Sequence, residues 1–174
     1  SSVDEYDVLY YNSFDYFDLV PVGAIPDVPQ FIFARFADDG TVIVLTFNSA
    51  TDRAFYDMYF SCNVMFEFVG VQGLNCQWID DTTIFMYLQG SQTLDVGSSI
   101  TLLDGSVRAK CTTAPSQPCH TWNTSEVTSL NLLPPLKPIQ PILLIEAPQS
   151  IGSCQDLSIS MTSSSGSGGR PWRK

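Results

Sequence analysis

The side chains best suited to acid–base chemistry form two adjacent pairs, Asp38-Asp39 and Asp80-Asp81. Each pair lies between runs of alternating apolar residues, at places where Asp favours a turn. Neighbouring residues of a strand point to opposite faces, so adjacent carboxylates are poorly placed to act as an acid and a base on one substrate. We therefore interpret both pairs as turn residues between strands.

Other catalytic groups are scarce. His120 is the only histidine, and it stands between Cys119 and Thr121 in a predicted loop. The sequence contains no Gly-x-Ser-x-Gly nucleophile elbow, phosphate-binding loop or dinucleotide-binding fingerprint. Five cysteines without a CxxC pair, together with one histidine, do not fit a zinc site. We expect that the protein is not an enzyme and that it holds no cofactor, with Ca²⁺ as the one alternative.

The cysteines indicate disulfide bonds. Cys62 and Cys76 flank two short strand-like runs, and Cys111 and Cys119 bracket a loop that contains proline. We predict these two pairs, the first of which would stabilise the fold by about 3 kcal/mol for a loop of that size. Cys154 is left over, and we expect its partner beyond this sequence. The alternative is a set of buried free thiols in a cytosolic protein.

A change of composition follows Cys111, where the chain becomes rich in Ser, Thr and Pro. It contains Asn123-Thr124-Ser125, an acceptor triplet for N-linked glycosylation at Asn123, which requires a secretory route. The same mixture favours O-linked sugar. The candidate positions for it are Thr112, Thr113, Ser116 and Thr121.

Residues 1–27 carry six acidic residues and no basic residue, interleaved with aromatic ones. One interpretation is the last strand of a preceding module followed by a linker. A second is an arm that docks on a neighbouring subunit through Tyr10, Tyr11, Tyr16 and Phe17. A third is a Ca²⁺ site at a domain junction, since carboxylates are the hard oxygen ligands that this ion prefers.

Charge and hydropathy argue against contact with nucleic acid and with membranes. The formal net charge is −10, which disfavours binding to the phosphates of nucleic acid and to anionic membrane surfaces. The apolar runs, among them Ile142–Ile145, are far too short to span a bilayer.

Alternating strands dominate the central part of the chain. In Gln30–Thr51 two runs with a period of two flank the turn at Asp38-Asp39-Gly40. This alternation predicts four sets of residues that share a face: Phe31, Phe33 and Arg35; Ile32, Ala34 and Phe36; Val42, Val44 and Thr46; and Ile43, Leu45 and Phe47. Further strands are predicted at Leu74–Ile79, Thr82–Gln89, Ser99–Leu103 and Ser106–Lys110, with a helical turn around Arg53–Tyr59.

Strands that recur with such turns predict an all-β, immunoglobulin-like sandwich. We divide the chain into the acidic segment 1–27, a sandwich over 28–111, a Ser/Thr/Pro-rich glycosylated linker over 112–141, and the incomplete start of a second module over 142–174. Proline in Leu132–Pro141 favours an extended spacer. Strands are predicted at Ile142–Ala147 and around Leu157, Ile159 and Met161, and Trp78 is predicted to pack beside the first disulfide.

The run from Cys154 to Trp172, which ends in SSSGSGGRPW, resembles the opening of the receptor-for-egg-jelly module of polycystin-type ectodomains. The upstream part is similar to immunoglobulin-like repeats of protist and algal surface proteins, with the Thr46–Thr51 run TFNSAT, Cys76-Gln77-Trp78 and the Gly97–Leu102 turn as the matching motifs. Ser98 stands where that turn usually has Asp. The resemblance implies an extracellular, disulfide-bonded array without catalytic residues.

We therefore expect a structural or interaction module of an extracellular fibre, coat or cell-surface protein, in the setting of a cilium or flagellum for example. It would act through contacts with neighbouring modules or with copies of itself. The alternative is a module that binds a carbohydrate or protein ligand in cell recognition.

Overall fold

The computed structural model describes residues 6–11, 16–21, 23–56, 58–89, 94–112 and 115–166, with the backbone alone described in 6–11 and 16–20. The first two strands, β1 (Tyr6–Tyr11) and β2 (Tyr16–Pro21), form an antiparallel hairpin. Eight further strands form two antiparallel sheets, which confirms the predicted all-β sandwich. They are β3 (Phe31–Phe36), β4 (Val42–Phe47), β5 (Tyr59–Ser61), β6 (Phe66–Glu67), β7 (Asn75–Trp78), β8 (Thr83–Tyr87), β9 (Ser99–Leu102) and β10 (Thr128–Asn131).

The larger sheet has the order β3-β4-β8-β7-β5, and the smaller has the order β10-β9-β6. Alternation places every second side chain of each strand between the two sheets. The inner faces contribute fully buried residues, each of which stabilises the fold by about 1.5–3 kcal/mol relative to exposure. Together with buried residues that flank the strands, the largest fully buried side chains are Phe47, Phe66, Ile43, Leu45, Met65, Leu74, Ile84, Met86, Ile100, Leu102, Leu132 and Val107.

The predicted faces hold for β4 and are wrong for the start of β3. In β4, Ile43, Leu45 and Phe47 are buried as expected. In β3 the register shifts between Phe31 and Phe33, so Phe31 is buried with the core and Ile32 is exposed. A bulge inserts one residue and reverses the faces on one side of it. Phe31 consequently packs against Phe47, with ring centroids 5.8 Å apart.

Two disulfides join the cysteine pairs that the sequence predicts, Cys62 with Cys76 and Cys111 with Cys119. Both cysteines of the first disulfide are fully buried, and the bond joins Cys62, directly after β5, to Cys76 in β7. Trp78, two residues after Cys76, is buried and stacks on Phe47 at a centroid distance of 5.8 Å. Cys154 is a free, exposed thiol within the described part of the chain.

The sandwich extends further than the predicted boundary at residue 111. Strand β10 lies within the predicted linker and pairs with β9, from Thr128↔Leu102 to Asn131↔Ser99. Leu132 after it is buried, and Leu133 forms a parallel bridge with Arg35 that covers the outer edge of β3. The spacer therefore begins after Leu133, because the segment before it completes the smaller sheet and closes one edge of the larger.

Three other predicted strands are replaced by isolated bridges. In Ser106–Lys110 the pairing is limited to Ala109↔Thr51. In the C-terminal segment Ile142 bridges Ser165 and Glu146 bridges Ser160, with no continuous strand between these points. The module boundaries at 27 and 142 stay predictions.

Candidate interaction surface

Both carboxylate pairs serve as turn residues. Asp39 Oδ1 accepts the backbone N–H of Thr41 at 3.0 Å and its hydroxyl at 2.9 Å. Asp80 Oδ1 accepts the same two groups of Thr82, each at 2.7 Å. The backbone hydrogen bond from Thr41, with the hydroxyl bond beside it, holds the pKa of Asp39 below its usual range. These contacts are local, as in an Asx-turn, and they do not bring two carboxylates to one point.

Asp81 instead holds two basic side chains at one end of the sandwich. Its Oδ1 accepts Arg53 Nε at 2.7 Å, and its Oδ2 binds Lys110 Nζ. Partial burial raises the pKa of Asp81, but the hydrogen bond and charge of Lys110 together with Arg53 outweigh this, so the pKa lies below its usual value. The carbonyl of Asp81 also accepts the hydroxyl of Thr51 at 2.7 Å.

The segment anchored by Asp81 is a short 3₁₀ turn of unusual backbone geometry. Its three residues, Arg53, Ala54 and Phe55, have φ angles of 54°, 51° and 60°. A left-handed conformation costs a non-glycine residue about 1–2 kcal/mol, so three in succession require support from the surroundings. Asp52 supplies part of that support, since its Oδ1 accepts the backbone N–H groups of Ala54 and Arg108, each at 3.0 Å. The helical turn predicted around Arg53–Tyr59 is limited to these three residues and has the opposite hand, since Tyr56 is extended and Tyr59 begins β5.

This turn displays apolar side chains beside an open sheet edge. Phe55 is 75% exposed, and Met58 and Tyr59 are 59% and 63% exposed. Tyr56 stacks on Phe60 with ring centroids 4.9 Å apart, which ties the turn to the start of β5. We call Phe55, Tyr56, Met58 and Tyr59 the aromatic margin. Such a group of exposed apolar residues on one segment is typical of a contact surface.

Within the described residues, β5 is the last strand of the larger sheet and has a neighbour only on the β7 side. Met58 accepts the N–H of Trp78 and Cys62 donates to the carbonyl of Leu74, so the intervening Tyr59 and Ser61 direct their backbone groups to the open side. Natural edge strands are often protected by charge, proline or a covering segment. None of the described residues of β5 is charged or proline.

The outer face of the larger sheet continues the aromatic margin. Tyr59 lies next to Tyr87, with ring centroids 6.2 Å apart, and the Tyr87 hydroxyl donates to Gln77 Oε1 at 2.6 Å. Loss of solvent around the phenol, with a smaller effect of Tyr59, raises the pKa of Tyr87. At the other end of this face, the Arg35 guanidinium lies 4.6 Å above the ring of Phe33. The face therefore presents rings with hydrogen-bonding groups between them.

The predicted docking residues lie at the tip of the β1–β2 hairpin, where the backbone register pairs Tyr10 with Phe17 and Tyr11 with Tyr16. Their side chains, and the acidic side chains considered for Ca²⁺ up to Asp18, fall outside the described residues. Among the described side chains, no group of three His, Cys, Asp or Glu residues converges as a metal site. None of the described helices is both long and apolar enough to cross a bilayer.

The candidate glycosylation residues that the structure describes differ in exposure. Asn123 is exposed and lines a cleft of about 680 Å³ between residues 28–31 and 123–128. Ser116 is exposed, and its hydroxyl donates to the carbonyl of Gly23 at 2.6 Å. The hydroxyl of Thr121 donates to Pro118 O, and Thr112 is half-buried. Thr113 lies outside the described residues.

Comparison with known proteins gives no relative: no protein-family model, curated protein or solved structure matches this chain. The resemblance to receptor-for-egg-jelly and immunoglobulin-like modules therefore stays a prediction.

Sequence reasoning missed the aromatic margin and the supporting role of Asp81. The signal for the margin was present in Phe55–Phe60, an aromatic run in the segment for which only a helical turn was predicted. The pairing of Asp81 with Arg53 and Lys110 spans 28 and 29 residues, a separation at which no sequence pattern indicates a contact.

Proposed function

We propose that this chain is an interaction module of an extracellular fibre, coat or cell-surface protein. In this proposal it binds copies of itself or neighbouring modules through the β5 edge and the aromatic margin. The observation that carries the proposal is the coincidence of the two features. The open backbone groups of Tyr59 and Ser61 lie on the same segment as exposed Phe55 and Met58.

The two disulfides support an oxidising, extracellular type of environment. The exact location, whether a cell surface, a cilium or a free assembly, is part of the proposal. The attachment of glycans and the absence of enzymatic activity are also part of the proposal.

Strand addition explains why the edge and the margin belong together. A partner strand would take hydrogen bonds from the outward groups of Tyr59 and Ser61, while its alternate side chains would pack on the margin. The side chains that a partner would cover there are mostly apolar and aromatic, as in the buried core of a protein interface.

The C-terminal segment adds further exposed apolar side chains. Eight of its large apolar side chains are between 48% and 61% exposed, and no layer covers them in the described part of the chain. They are Ile142, Leu143, Leu144, Ile145, Ile151, Leu157, Ile159 and Met161. Their exposure supports contact with further protein, as an interaction module requires.

The edge can be tested with one residue. Ser61 has φ −72° and ψ 126°, a conformation that proline adopts, and its N–H faces the open side. Ser61→Pro should therefore keep the fold and remove a donor that strand addition needs. Ser61→Ala is the matched control, because it removes the hydroxyl bond to Asn63 Oδ1 and keeps the N–H.

Light scattering coupled to size-exclusion chromatography, run over a hundredfold range of concentration, measures the outcome. We expect the wild type and Ser61→Ala to associate as concentration rises, and Ser61→Pro to stay monomeric with an unchanged thermal midpoint. Wild-type protein that stays monomeric throughout, or Ser61→Pro that associates like the wild type, would contradict the proposal.

The second candidate function is carbohydrate binding on the outer face. The observation that favours it is the Tyr59–Tyr87 pair with Gln77, which combines ring surfaces with a side-chain amide. A glycan array with wild type and Tyr59→Ala separates the two functions. Saturable binding by a monomer that is lost in Tyr59→Ala would favour carbohydrate recognition over assembly.

A further inference from the structure

The acceptor triplet Asn123-Thr124-Ser125 is split between the surface and the core. Asn123 is exposed, whereas Ser125 is only 3% exposed. The Ser125 hydroxyl accepts the backbone N–H of Val107 at 3.2 Å, and its own N–H donates to the carbonyl of Val107 at 2.8 Å. Its carbonyl accepts the N–H of Gly105 at 2.9 Å. Every polar group of Ser125 is therefore engaged with segment 105–107.

N-linked glycosylation requires Ser125, which is buried in the folded protein. The Ser or Thr two residues after Asn is the feature that defines the acceptor. In the transfer, the side-chain nitrogen of Asn forms a bond to C1 of the first sugar. The bond from C1 to the phosphate oxygen of a lipid-pyrophosphate-linked oligosaccharide breaks, the lipid pyrophosphate leaves, and the amide proton passes to a base of the transferase.

We propose that Asn123 is an N-glycosylation site that is used before the fold closes, and that Ser125 has two roles in succession. It first presents its hydroxyl to the transferase, and afterwards it buries the same hydroxyl as the acceptor for Val107. The inference rests on the proposed extracellular function, because the transfer requires the secretory route.

The folded structure accommodates the product. The exposed Asn123 side chain lines the cleft of about 680 Å³, whose wall also contains Gln30, Asp104 and Glu126. These polar groups are suited to lie beside a sugar, and no core side chain has to move for one to be attached. The glycan therefore lies over the side of the sandwich where residues 28–31 meet β9 and the segment before β10.

Two samples of the whole chain test the order of events. Disulfide-bonded, unglycosylated protein refolded from bacteria is offered to a purified oligosaccharyltransferase with its lipid-linked donor, either native or reduced and unfolded. We expect the unfolded chain to be modified at least tenfold faster than the native chain, as read by intact mass and peptide mapping. Equal rates would overturn the inference.

Expression in secretory cells tests the site itself, and we expect a glycan on the peptide that contains Asn123. Asn123→Gln should remove only the glycan, leaving the midpoint of urea unfolding of the bacterial protein unchanged. Ser125→Ala should remove the glycan and also lower that midpoint, because the N–H of Val107 loses its acceptor. A Ser125→Ala midpoint equal to that of the wild type would contradict the second role.

The inference can fail without the proposed function failing. Secreted, disulfide-bonded protein that associates through the β5 edge but carries no sugar on Asn123 would overturn the glycosylation site alone. Secreted protein in which the two disulfides are absent and which stays monomeric would contradict the proposed function, whatever the state of Asn123.

Discussion

Arg53 Nε donates to Asp81 Oδ1 at 2.7 Å, so the left-handed turn before β5 is held against the hairpin turn between β7 and β8. Lys110 binds the other oxygen of the same carboxylate. One acidic side chain thus fixes two segments that are distant in sequence. The contact between Arg53 and Asp81 therefore helps to hold the aromatic margin in place at this end of the sandwich.

We expect Asp81→Asn to lower the free energy of unfolding by about 1 kcal/mol at neutral pH, because it removes a charge that two cations share while both remain partly solvated. Urea denaturation followed by fluorescence measures the loss. Glu126→Gln is the control, since it removes one exposed negative charge and should leave the midpoint unchanged.

The effect of Asp81→Asn on the free energy of unfolding should depend on pH. The folded pKa of Asp81 lies below the ordinary value of 3.8, so its contribution is present above about pH 3.8 and is lost as the pH falls through the folded pKa. The stability difference between wild type and Asp81→Asn should therefore be largest near neutral pH and shrink as the pH falls below 3.8. A difference that is equal at pH 7 and pH 2 would show that the ion pairs are not its source.

Two substitutions of Phe55 distinguish the effect of backbone strain from the effect of the side chain on binding. Its φ of 60° suits glycine, and its side chain is almost free of contacts with the core. The free energy of unfolding of Phe55→Gly should therefore be about 0.5–1 kcal/mol higher than that of Phe55→Ala. Both substitutions remove the ring, but only glycine relieves the strain of the left-handed backbone. Both variants should weaken self-association equally. Equal stability of the two variants would refute the strain at this position.

The two disulfides should differ in their contribution. Replacing Cys62 and Cys76 together by alanine should cost about 3 kcal/mol of unfolding free energy from the 14-residue separation, with a further loss because both residues are fully buried. Replacing Cys111 and Cys119 should cost about 2.5 kcal/mol or less, since the separation is eight residues and Cys111 is exposed. Urea midpoints of the two double variants decide the order. A larger loss from the second pair would contradict it.

The strands of the larger sheet were predictable where alternation was strong, as in β4 and β8, because a period of two reports directly which side chains face the core. Strand β10 was not, because Leu130 is its one apolar residue and its Ser and Thr content is typical of a loop. The bulge in β3 leaves no trace in an alternating run. The left-handed turn contains neither Gly nor Asn, the residues that signal such backbone angles, and long-range contacts of Asp52 and Asp81 impose it.

Asp38, in the turn between β3 and β4, ties the Pro-rich segment to that hairpin, and this contact gives the last prediction. Its Oδ1 accepts the N–H of Lys137 at 2.9 Å, and its carbonyl accepts the N–H of Ile139 at 2.8 Å. Asp38→Ala should abolish the protection of the Lys137 amide from hydrogen exchange and preserve that of Ile139, which bonds to the backbone. Asp39→Ala is the matched control: it removes the adjacent carboxylate, which binds Thr41, and should leave Lys137 protected. Rapid exchange of the Lys137 amide in the wild type would mean that Asp38 does not hold the spacer against the sandwich. The same conclusion would follow if Asp38→Ala and Asp39→Ala both lost the protection of Lys137.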